Sequence, residues 1–168
     1  MNTKTDASPL DMRKALGNFG TGVTVVTTLA ADGRPVGVTA NSFNSVSLDP
    51  FIVLWSLLKT SPSLAAFQQR QQFVVNVLSV DQVHLSQRFA SPVADKFAGV
   101  DHRPGELGLP VLEGCASVFE CQTTQQLVVG DHVLFLAEVI DFHFEPKPSL
   151  LYCQGRYAQG IPLPNPSV

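Results

Sequence analysis

Residues 39–47, TANSFNSVS, form the segment of this sequence whose side chains are best suited to hold a ligand through neutral hydrogen-bonding groups. Six of the nine residues are Ser, Thr or Asn, and none is charged. Strand-like residues flank the segment, and it also carries Phe43 and Val46, which a solvated loop would not need. Its hydroxyl, amide and backbone N–H groups suit a ligand with many acceptors, and N–H groups in a concave arrangement can bind an anion. A Ser/Asn-rich turn is the simpler alternative.

A second candidate region, KTSPS, follows at residues 59–63. Lys59 supplies a cation, and Thr60, Ser61 and Ser63 supply hydroxyl groups. The Ser-Pro pair predicts the start of a helix, whose unpaired N–H groups would favour an anion. A flat heterocycle against residues 39–47 and a phosphate at residues 59–63 would together describe a flavin nucleotide.

Other patterns with known chemistry fit the sequence poorly. The glycines of GNFGTG, residues 17–22, lie between a predicted helix and a predicted strand. This order is the reverse of that in the dinucleotide-binding fingerprint, so we interpret them as structural. The sequence has no GxSxG nucleophile elbow.

His132 follows a turn and begins a long strand, where its ring could face a barrel mouth or solvent. The remaining histidines are predicted to be solvated: His84, His102 and His143.

Composition limits the classes of partner. The chain has 168 residues, 45% of them hydrophobic and 15% charged, with a net charge of −3. Nucleic acid is not expected as a partner, because phosphate backbones attract basic proteins. No apolar run approaches the roughly 18 residues of a membrane span. The first twelve residues lack the apolar core of a signal peptide, so a cytoplasmic protein is expected.

The cysteines do not suggest a metal site or a catalytic thiol. They lie in apolar, strand-like runs without CxxC or Cys/His ligand spacing. We therefore expect no metal and interpret these cysteines as small core residues in a reducing compartment. The three cysteines are Cys115, Cys121 and Cys153.

Three short helices are predicted. The first opens at Ser8-Pro9 with a hydroxyl cap and an N-terminal proline, and it ends at Gly17 and Gly20. The residues expected on its apolar face are Leu10, Ala15, Leu16 and Phe19. The second helix follows the Ser-Pro pair and the third is capped by Asp81. These two helices are predicted over residues 61–70 and 81–89.

The predicted strands indicate a mainly β fold. The Asp-Gly pair at residues 32–33 joins the first two strands as a hairpin. Residues 51–58 are apolar nearly throughout and are expected to be covered on both faces. Residues 90–114 are predicted as loops with about one helical turn. The predicted strands span residues 23–29, 35–40, 51–58, 73–78, 115–122, 132–144 and 150–153.

The order of these elements predicts the architecture. The chain lacks a regular alternation of strands and helices, which favours an antiparallel barrel with helices at its ends. The sequence contains no internal repeat or domain boundary, so residues 1–168 are predicted to form one domain. Its core would span about residues 10–158. Three prolines in the last eight residues predict an extended or disordered arm within the tail, residues 159–168.

Several sequence blocks resemble the short-chain flavin reductases, the NAD(P)H:flavin oxidoreductase components of two-component monooxygenases. They occur in the order of that family and cover most of residues 12–157. GVTANSF and GDH are the most family-specific among them. The matching blocks are FGTGVTVVTT, GVTANSFNSVSLDP, FVVNVL, LSQRFA, DKFAGV, GDH and LLYCQGRY.

The resemblance implies an FMN-binding split β-barrel, usually a homodimer, with the flavin near the subunit interface. His132 is implied to orient the nicotinamide, which Arg156 and Tyr157 would also flank. Phe97 would approach the flavin. The other residues implied to contact flavin are Thr39, Ala40, Asn41, Ser42, Ser56, Leu57, Lys59, Ser61 and Ser63.

The implied activity is hydride transfer from NADH or NADPH to FMN or FAD. The reduced flavin would pass to a partner monooxygenase, and neutral donors in the site would let it leave. The sequence does not separate FMN from FAD, while its low basic charge slightly favours NADH. The alternative is a split-barrel carrier or sensor of flavin or haem, with His132 and His143 as candidate haem ligands.

Overall fold

The computed structural model describes residues 8–161, which form three short α-helices and twelve β-strands. The helices are α1 (Pro9–Leu16), α2 (Leu64–Arg70) and α3 (Val83–Ala90). The first six strands are β1 (Thr21–Gly22), β2 (Thr24–Leu29), β3 (Pro35–Ala40), β4 (Asn44–Leu48), β5 (Phe51–Leu58) and β6 (Gln72–Val77). The last six are β7 (His102–Pro104), β8 (Pro110–Leu112), β9 (Ser117–Val129), β10 (His132–Phe144), β11 (Leu150–Cys153) and β12 (Arg156–Gln159).

Seven strands make one antiparallel sheet in the order β3-β2-β6-β9-β10-β5-β4. The predicted hairpin across residues 32–33 is confirmed, since Ala30 N–H donates to Arg34 O at 2.9 Å and Gly33 has a φ of +83°. The sheet curls into a barrel, but β3 and β4 remain edges. The predicted mainly β, antiparallel split barrel is therefore confirmed.

Two buried clusters lie on opposite faces of this sheet. Neighbouring residues Val25 and Val26 of β2 face different clusters, as do Val74 and Val75 of β6. This explains why these strands are apolar without alternation. The barrel interior is centred on the single tryptophan, Trp55, whose ring stacks on Phe135 and contacts two further phenylalanines. The second cluster lies beneath α3.

The buried polar residue of FVVNVL, Asn76, attaches a distant loop to the sheet. Its amide Nδ2 donates to Val25 O at 2.9 Å and to Thr27 Oγ1 at 3.1 Å. Its Oδ1 accepts from Leu112 N–H at 2.9 Å. These bonds hold β8 against the barrel. β8 also pairs with β7, so residues 90–114, predicted as loops, contain two short strands.

The helices differ from the prediction in their details. The expected apolar face of α1 is exposed, because no described part of the chain covers it. α2 begins at Leu64 rather than at the Ser-Pro pair, and the side chain of its cap residue, Ser63, makes no hydrogen bond. The turn before α3 is capped by Ser79 and Gln82, not by Asp81, since each side chain bonds the other's backbone.

Strand predictions were wrong in several places, and the edge strand β4 was not predicted. Residues 51–58 alternate between buried and more accessible positions, so β5 is not fully covered on both faces by this chain. β9 continues to Val129, well past the predicted end, because it pairs with β10 up to the turn. β1 and β12, which were not predicted, pair with β11.

Two further sequence expectations concern cysteines and the tail. Cys115 and Cys121 are buried core residues as predicted, and burial raises the pKa of the Cys115 thiol to about 12. Cys153 is only half-buried. Most of the Pro-rich tail, residues 162–168, lies outside the described residues. None of the helices in residues 8–161 is long and apolar enough to cross a membrane.

Candidate functional site

A large cavity lies where the barrel is split. Its volume is about 1330 Å³, and it opens between β3 on one side and the end of β5 on the other. β3 and β5 run in opposite directions because they are the first and sixth strands of an antiparallel sheet. α2 and the residues after α3 complete the wall. The predicted site residues that line it are Thr39, Ala40, Asn41, Ser42, Ser56, Leu57, Ser61, Ser63, Phe97 and His132.

One serine closes the split at one end. Ser42 Oγ donates to Ser56 O at 3.1 Å and accepts from Ser56 N–H at 3.0 Å. This hydroxyl thus replaces a backbone pair and joins the end of β3 to β5. Its hydrogen-bonding groups are used within the protein, so Ser42 shapes the cavity rather than presenting a spare hydroxyl to it.

The edge of β3 supplies backbone donors to the cavity. Hydrogen-bonded and non-bonded pairs alternate along an antiparallel ladder. Because the Ala30–Arg34 pair is bonded, the backbone groups of Gly37 and Thr39 point away from β2. Strand β3 has no partner on that side. The N–H groups of Gly37 and Thr39 can therefore donate to a ligand in the split.

The side chains of residues 39–47 contribute fewer free hydrogen-bonding groups to the cavity than the sequence suggested. Thr39 Oγ1 donates to Ser86 O at 2.7 Å and fastens β3 to α3. Asn41 is exposed and lines the cavity. Residues 44–47 lie on the edge strand β4 and outside the cavity. The prediction that the whole polar row lines one site was wrong, because the chain turns back into β4 after Phe43.

The wall opposite β5 is held by two cations that bind carbonyl oxygens. Arg88 of α3 donates to the backbone oxygens of Lys96, Asp95 and Ala98, at 2.6, 3.1 and 2.7 Å. Lys96 Nζ donates to Phe89 O at 2.7 Å and lies 3.4 Å from Gly37 O. Burial lowers the pKa of Lys96. Arg88 therefore fixes the segment after α3 to that helix, and Lys96 connects the segment to β3.

Gly37 allows this wall to pack closely. A Cβ at this position would lie 2.5 Å from Phe89 Cε1 and 3.4 Å from Phe97 Cε2. The two phenylalanine rings meet edge to face, with centroids 5.0 Å apart. Phe97, predicted to approach a flavin, is buried and contributes to the cavity wall. Three residues of this wall were not predicted from the sequence, although they lie in the blocks GVTANSF, LSQRFA and DKFAGV: Gly37, Arg88 and Lys96.

His132 lies at the cavity wall beside the carboxylate of Asp131. Its Nδ1 is 2.7 Å from Asp131 Oδ1, and its side chain is 41% exposed. The hydrogen bond from His132 lowers the pKa of Asp131, so this carboxylate is ionised and can only accept. Nδ1 must then carry a proton, which leaves Nε2 available to a ligand.

Three predicted site residues lie outside the cavity wall. Lys59 is exposed, and its backbone N–H donates to Asp131 O at 2.9 Å. Arg156 and Tyr157 lie on β12, in a separate sheet. Tyr157 Oη is 2.9 Å from Ser86 Oγ, on the helix that holds Thr39. It therefore supports the wall of the cavity indirectly.

Neither haem ligation by two histidines nor a metal centre is supported by the described residues. His132 and His143 lie at opposite ends of β10, eleven positions apart. At about 3.3 Å per residue this separation exceeds 30 Å. Residues 8–161 contain no group of three or more His, Cys, Asp or Glu side chains that could hold a metal ion.

Comparisons with known proteins identify the family. Residues 16–160 match the flavin reductase like domain. The chain is 44% identical to FMN reductase (NADH) SmoA of Agrobacterium fabrum, over 88% of this chain and 83% of that protein. It is 41% identical to the reductase component of flavin-dependent trigonelline monooxygenase from Acinetobacter baylyi, over 88% of this chain and 47% of that protein.

A solved structure agrees with these sequence matches. The NADH:FAD oxidoreductase SgcE6 of Streptomyces globisporus, in complex with NAD and FAD fragments, superposes with a TM-score of 0.86 at 36% identity. The match covers 91% of this chain and 93% of that one. The chain spans about half the length of the first curated relatives that it matches, 48% and 47%. The predicted family is confirmed, and the chain belongs to the flavin reductase like domain family.

Proposed function

We propose that the protein is an NAD(P)H-dependent flavin reductase that supplies reduced flavin to a monooxygenase. The observation that carries this proposal is the cavity in the split barrel, lined by neutral donors and by His132. Relatives named as FMN reductase and as the reductase component of a monooxygenase support the same activity. FMN and FAD are both compatible with the site, as are NADH and NADPH.

The donor set of the cavity fits a flavin. The isoalloxazine ring carries carbonyl oxygens and ring nitrogens along one edge, and the N–H groups of Gly37 and Thr39 form a row of donors. Asn41, Ser61 and Ser63 line the same cavity and would contact the ring or its side chain. Phe97 and Leu57 add apolar surface. The volume of about 1330 Å³ exceeds the roughly 300–1000 Å³ of typical single-ligand pockets, so it can hold two ligands.

The chemistry supplied by the bound ligands is hydride transfer from the reduced nicotinamide to the flavin ring. The protein holds the two rings in contact and excludes water from between them. The β3 edge stabilises negative charge through its N–H groups. His132 presents Nε2, which as an acceptor would orient a carboxamide N–H of the nicotinamide.

His132→Ala is expected to raise the KM for NADH roughly tenfold, since one buried hydrogen bond to a ligand contributes about 1 kcal/mol or more. The dissociation constant of FMN should change less than twofold. Steady-state kinetics at 340 nm and flavin fluorescence titration would measure the two quantities. His143→Ala is the matched control, because His143 is exposed at the far end of β10. Unchanged NADH kinetics in His132→Ala would exclude the orienting role.

The activity itself is tested by the loss of absorbance at 340 nm with purified protein, NADH and FMN. Parallel assays with FAD and with NADPH rank the substrates. Rapid flavin-dependent oxidation supports the reductase. A protein that binds flavin but oxidises neither NADH nor NADPH would be a carrier or sensor instead.

The same proposal includes a homodimer. Apolar side chains are exposed on β4, β5 and β10, and Phe51 and Phe142 contact each other there, with centroids 6.2 Å apart. Patches of this kind mark interfaces in water-soluble assemblies. A second copy covering this face would explain its composition. The exposed residues are Val46, Leu48, Phe51, Ile140, Phe142 and Phe144.

A cytoplasmic location and a single-domain organisation complete the proposal. The cysteines are unpaired, which fits a reducing compartment. The family match over residues 16–160 supports one domain through most of the chain. The partner is a flavin-dependent oxygenase, by analogy with the trigonelline monooxygenase relative.

A further inference from the structure

The cavity wall contains one lysine, Lys96, and one arginine, Arg34, and their hydrogen bonding differs. Lys96 donates to two backbone carbonyl oxygens and is half-buried. These hydrogen bonds stabilise the wall of the cavity, so Lys96 is not available to a ligand. Arg34, in the turn between β2 and β3, also lines the cavity, and its side chain is 77% exposed.

Arg34 is oriented by its neighbour Asp32. The guanidinium Nε donates to Asp32 Oδ2 at 2.7 Å, and the backbone N–H of Arg34 donates to Asp32 Oδ1 at 3.1 Å. The terminal Nη1 and Nη2 atoms make no hydrogen bond to residues 8–161. One edge of the guanidinium is therefore held, while the other remains able to bind a planar anion in bidentate fashion.

The topology places Arg34 at the same end of the split as the hydroxyls of residues 60–63. β3 begins immediately after Arg34, and β5 ends immediately before this segment. Since β3 and β5 run in opposite directions, the turn and the segment meet at one end of the cavity. Thr60, Ser61 and Ser63 line that end together with Arg34. A cation beside three hydroxyls suits a phosphate group.

We propose that Arg34 binds a phosphate group of a ligand in the split-barrel cavity. The inference rests on the proposed function, because both ligand classes of a flavin reductase carry phosphate. The phosphate belongs either to the flavin nucleotide or to the pyridine nucleotide. Asp32 holds the guanidinium in place, and its negative charge offsets the positive charge of Arg34, so binding is weak enough for the ligand to leave.

Arg34→Gln tests this through ligands that differ by a phosphate. Isothermal titration calorimetry would compare FMN with riboflavin, and nicotinamide mononucleotide with nicotinamide riboside. A lost charge-assisted hydrogen bond is expected to weaken the phosphorylated ligand of one pair about tenfold, and its phosphate-free partner less than twofold. Arg103→Gln is the matched control. Arg103 is also an exposed arginine paired with a carboxylate, Glu113, at 3.3 Å, and it lies outside the cavity.

Asp32→Asn is expected to act in the opposite direction. Asparagine keeps an oxygen for the backbone N–H of Arg34 but removes the negative charge. The phosphorylated ligand should therefore bind about two- to fivefold more tightly at low ionic strength, and added salt should diminish the gain.

The outcomes separate the proposals. Loss of FMN affinity alone identifies the flavin phosphate, and loss of affinity for nicotinamide mononucleotide alone identifies the phosphate of the pyridine nucleotide; both support the inference. Equal binding of all four ligands by wild type and Arg34→Gln would overturn it while leaving the reductase intact. Wild-type protein that binds neither ligand pair would overturn the proposed function and this inference together.

Discussion

Gly37→Ala is expected to lower the free energy of unfolding by about 2–3 kcal/mol and to weaken FMN binding at least tenfold. The added Cβ would lie 2.5 Å from Phe89 Cε1, and Phe89 is fully buried, so its ring has nowhere to move without displacing the core. Overpacking of this kind typically costs about 1–3 kcal/mol. The same displacement would shift Phe97 and the segment that Lys96 fastens to Gly37 O.

Urea unfolding followed through Trp55 fluorescence would measure the stability, because Trp55 is the single tryptophan and is buried in the barrel interior. Gly22→Ala is the matched control. Gly22 also lies in a strand, and an added Cβ would meet no atom within 4 Å. The double variant Gly37→Ala/Phe89→Leu should recover part of the lost stability, since leucine removes the clashing ring atoms. No recovery would indicate that the damage arises elsewhere.

Asn76→Leu is expected to lower the free energy of unfolding by about 2–4 kcal/mol. Leucine has the same branched shape and number of side-chain heavy atoms, so no cavity forms and the loss comes from hydrogen bonds. Leu112 N–H would lose its acceptor in a buried site, and Val25 O and Thr27 Oγ1 would each lose a donor. Each buried polar group left without its partner costs about 1–3 kcal/mol.

Hydrogen exchange would localise the effect of Asn76→Leu. The amide of Leu112 should lose protection first, since its acceptor is the Asn76 side chain itself. Asn18→Leu provides the comparison, because Asn18 is exposed and accepts one hydrogen bond from Gln154. It should change stability by less than about 0.5 kcal/mol. Unaltered protection at Leu112 in Asn76→Leu would show that β8 is attached in another way.

The predicted site was only partly assembled by the fold. Residues 39–42 line the cavity as expected, but the hydroxyls of Thr39 and Ser42 are used to bind Ser86 and Ser56. A sequence lists donors and does not show which of them are already bonded. The backbone N–H groups at the edge of β3 were missed for a related reason. Every residue except proline carries a backbone N–H group, and only the strand order shows which of these groups are unpaired.

Two helices, α1 and α2, also differ from what their local sequences predicted. The Ser-Pro pair of residues 61–62 predicted the start of a helix, but α2 begins at Leu64 because residues 61–63 form a turn instead. The apolar residues of α1 predicted a buried face that the described chain leaves exposed. Local signals report which conformations are favourable and do not report what packs against them.

The sequence by itself determined the mainly β class, the hairpin at residues 32–33, most strand positions and the family. These follow from local conformational preference, from the periodicity of apolar residues and from motifs contiguous along the chain. The tertiary structure decided that the split lies between β3 and β5, that Gly37 packs beneath Phe89 and that Arg34 lines the cavity while Arg156 does not. These depend on contacts between residues far apart in sequence, which are fixed only when the sheet curls.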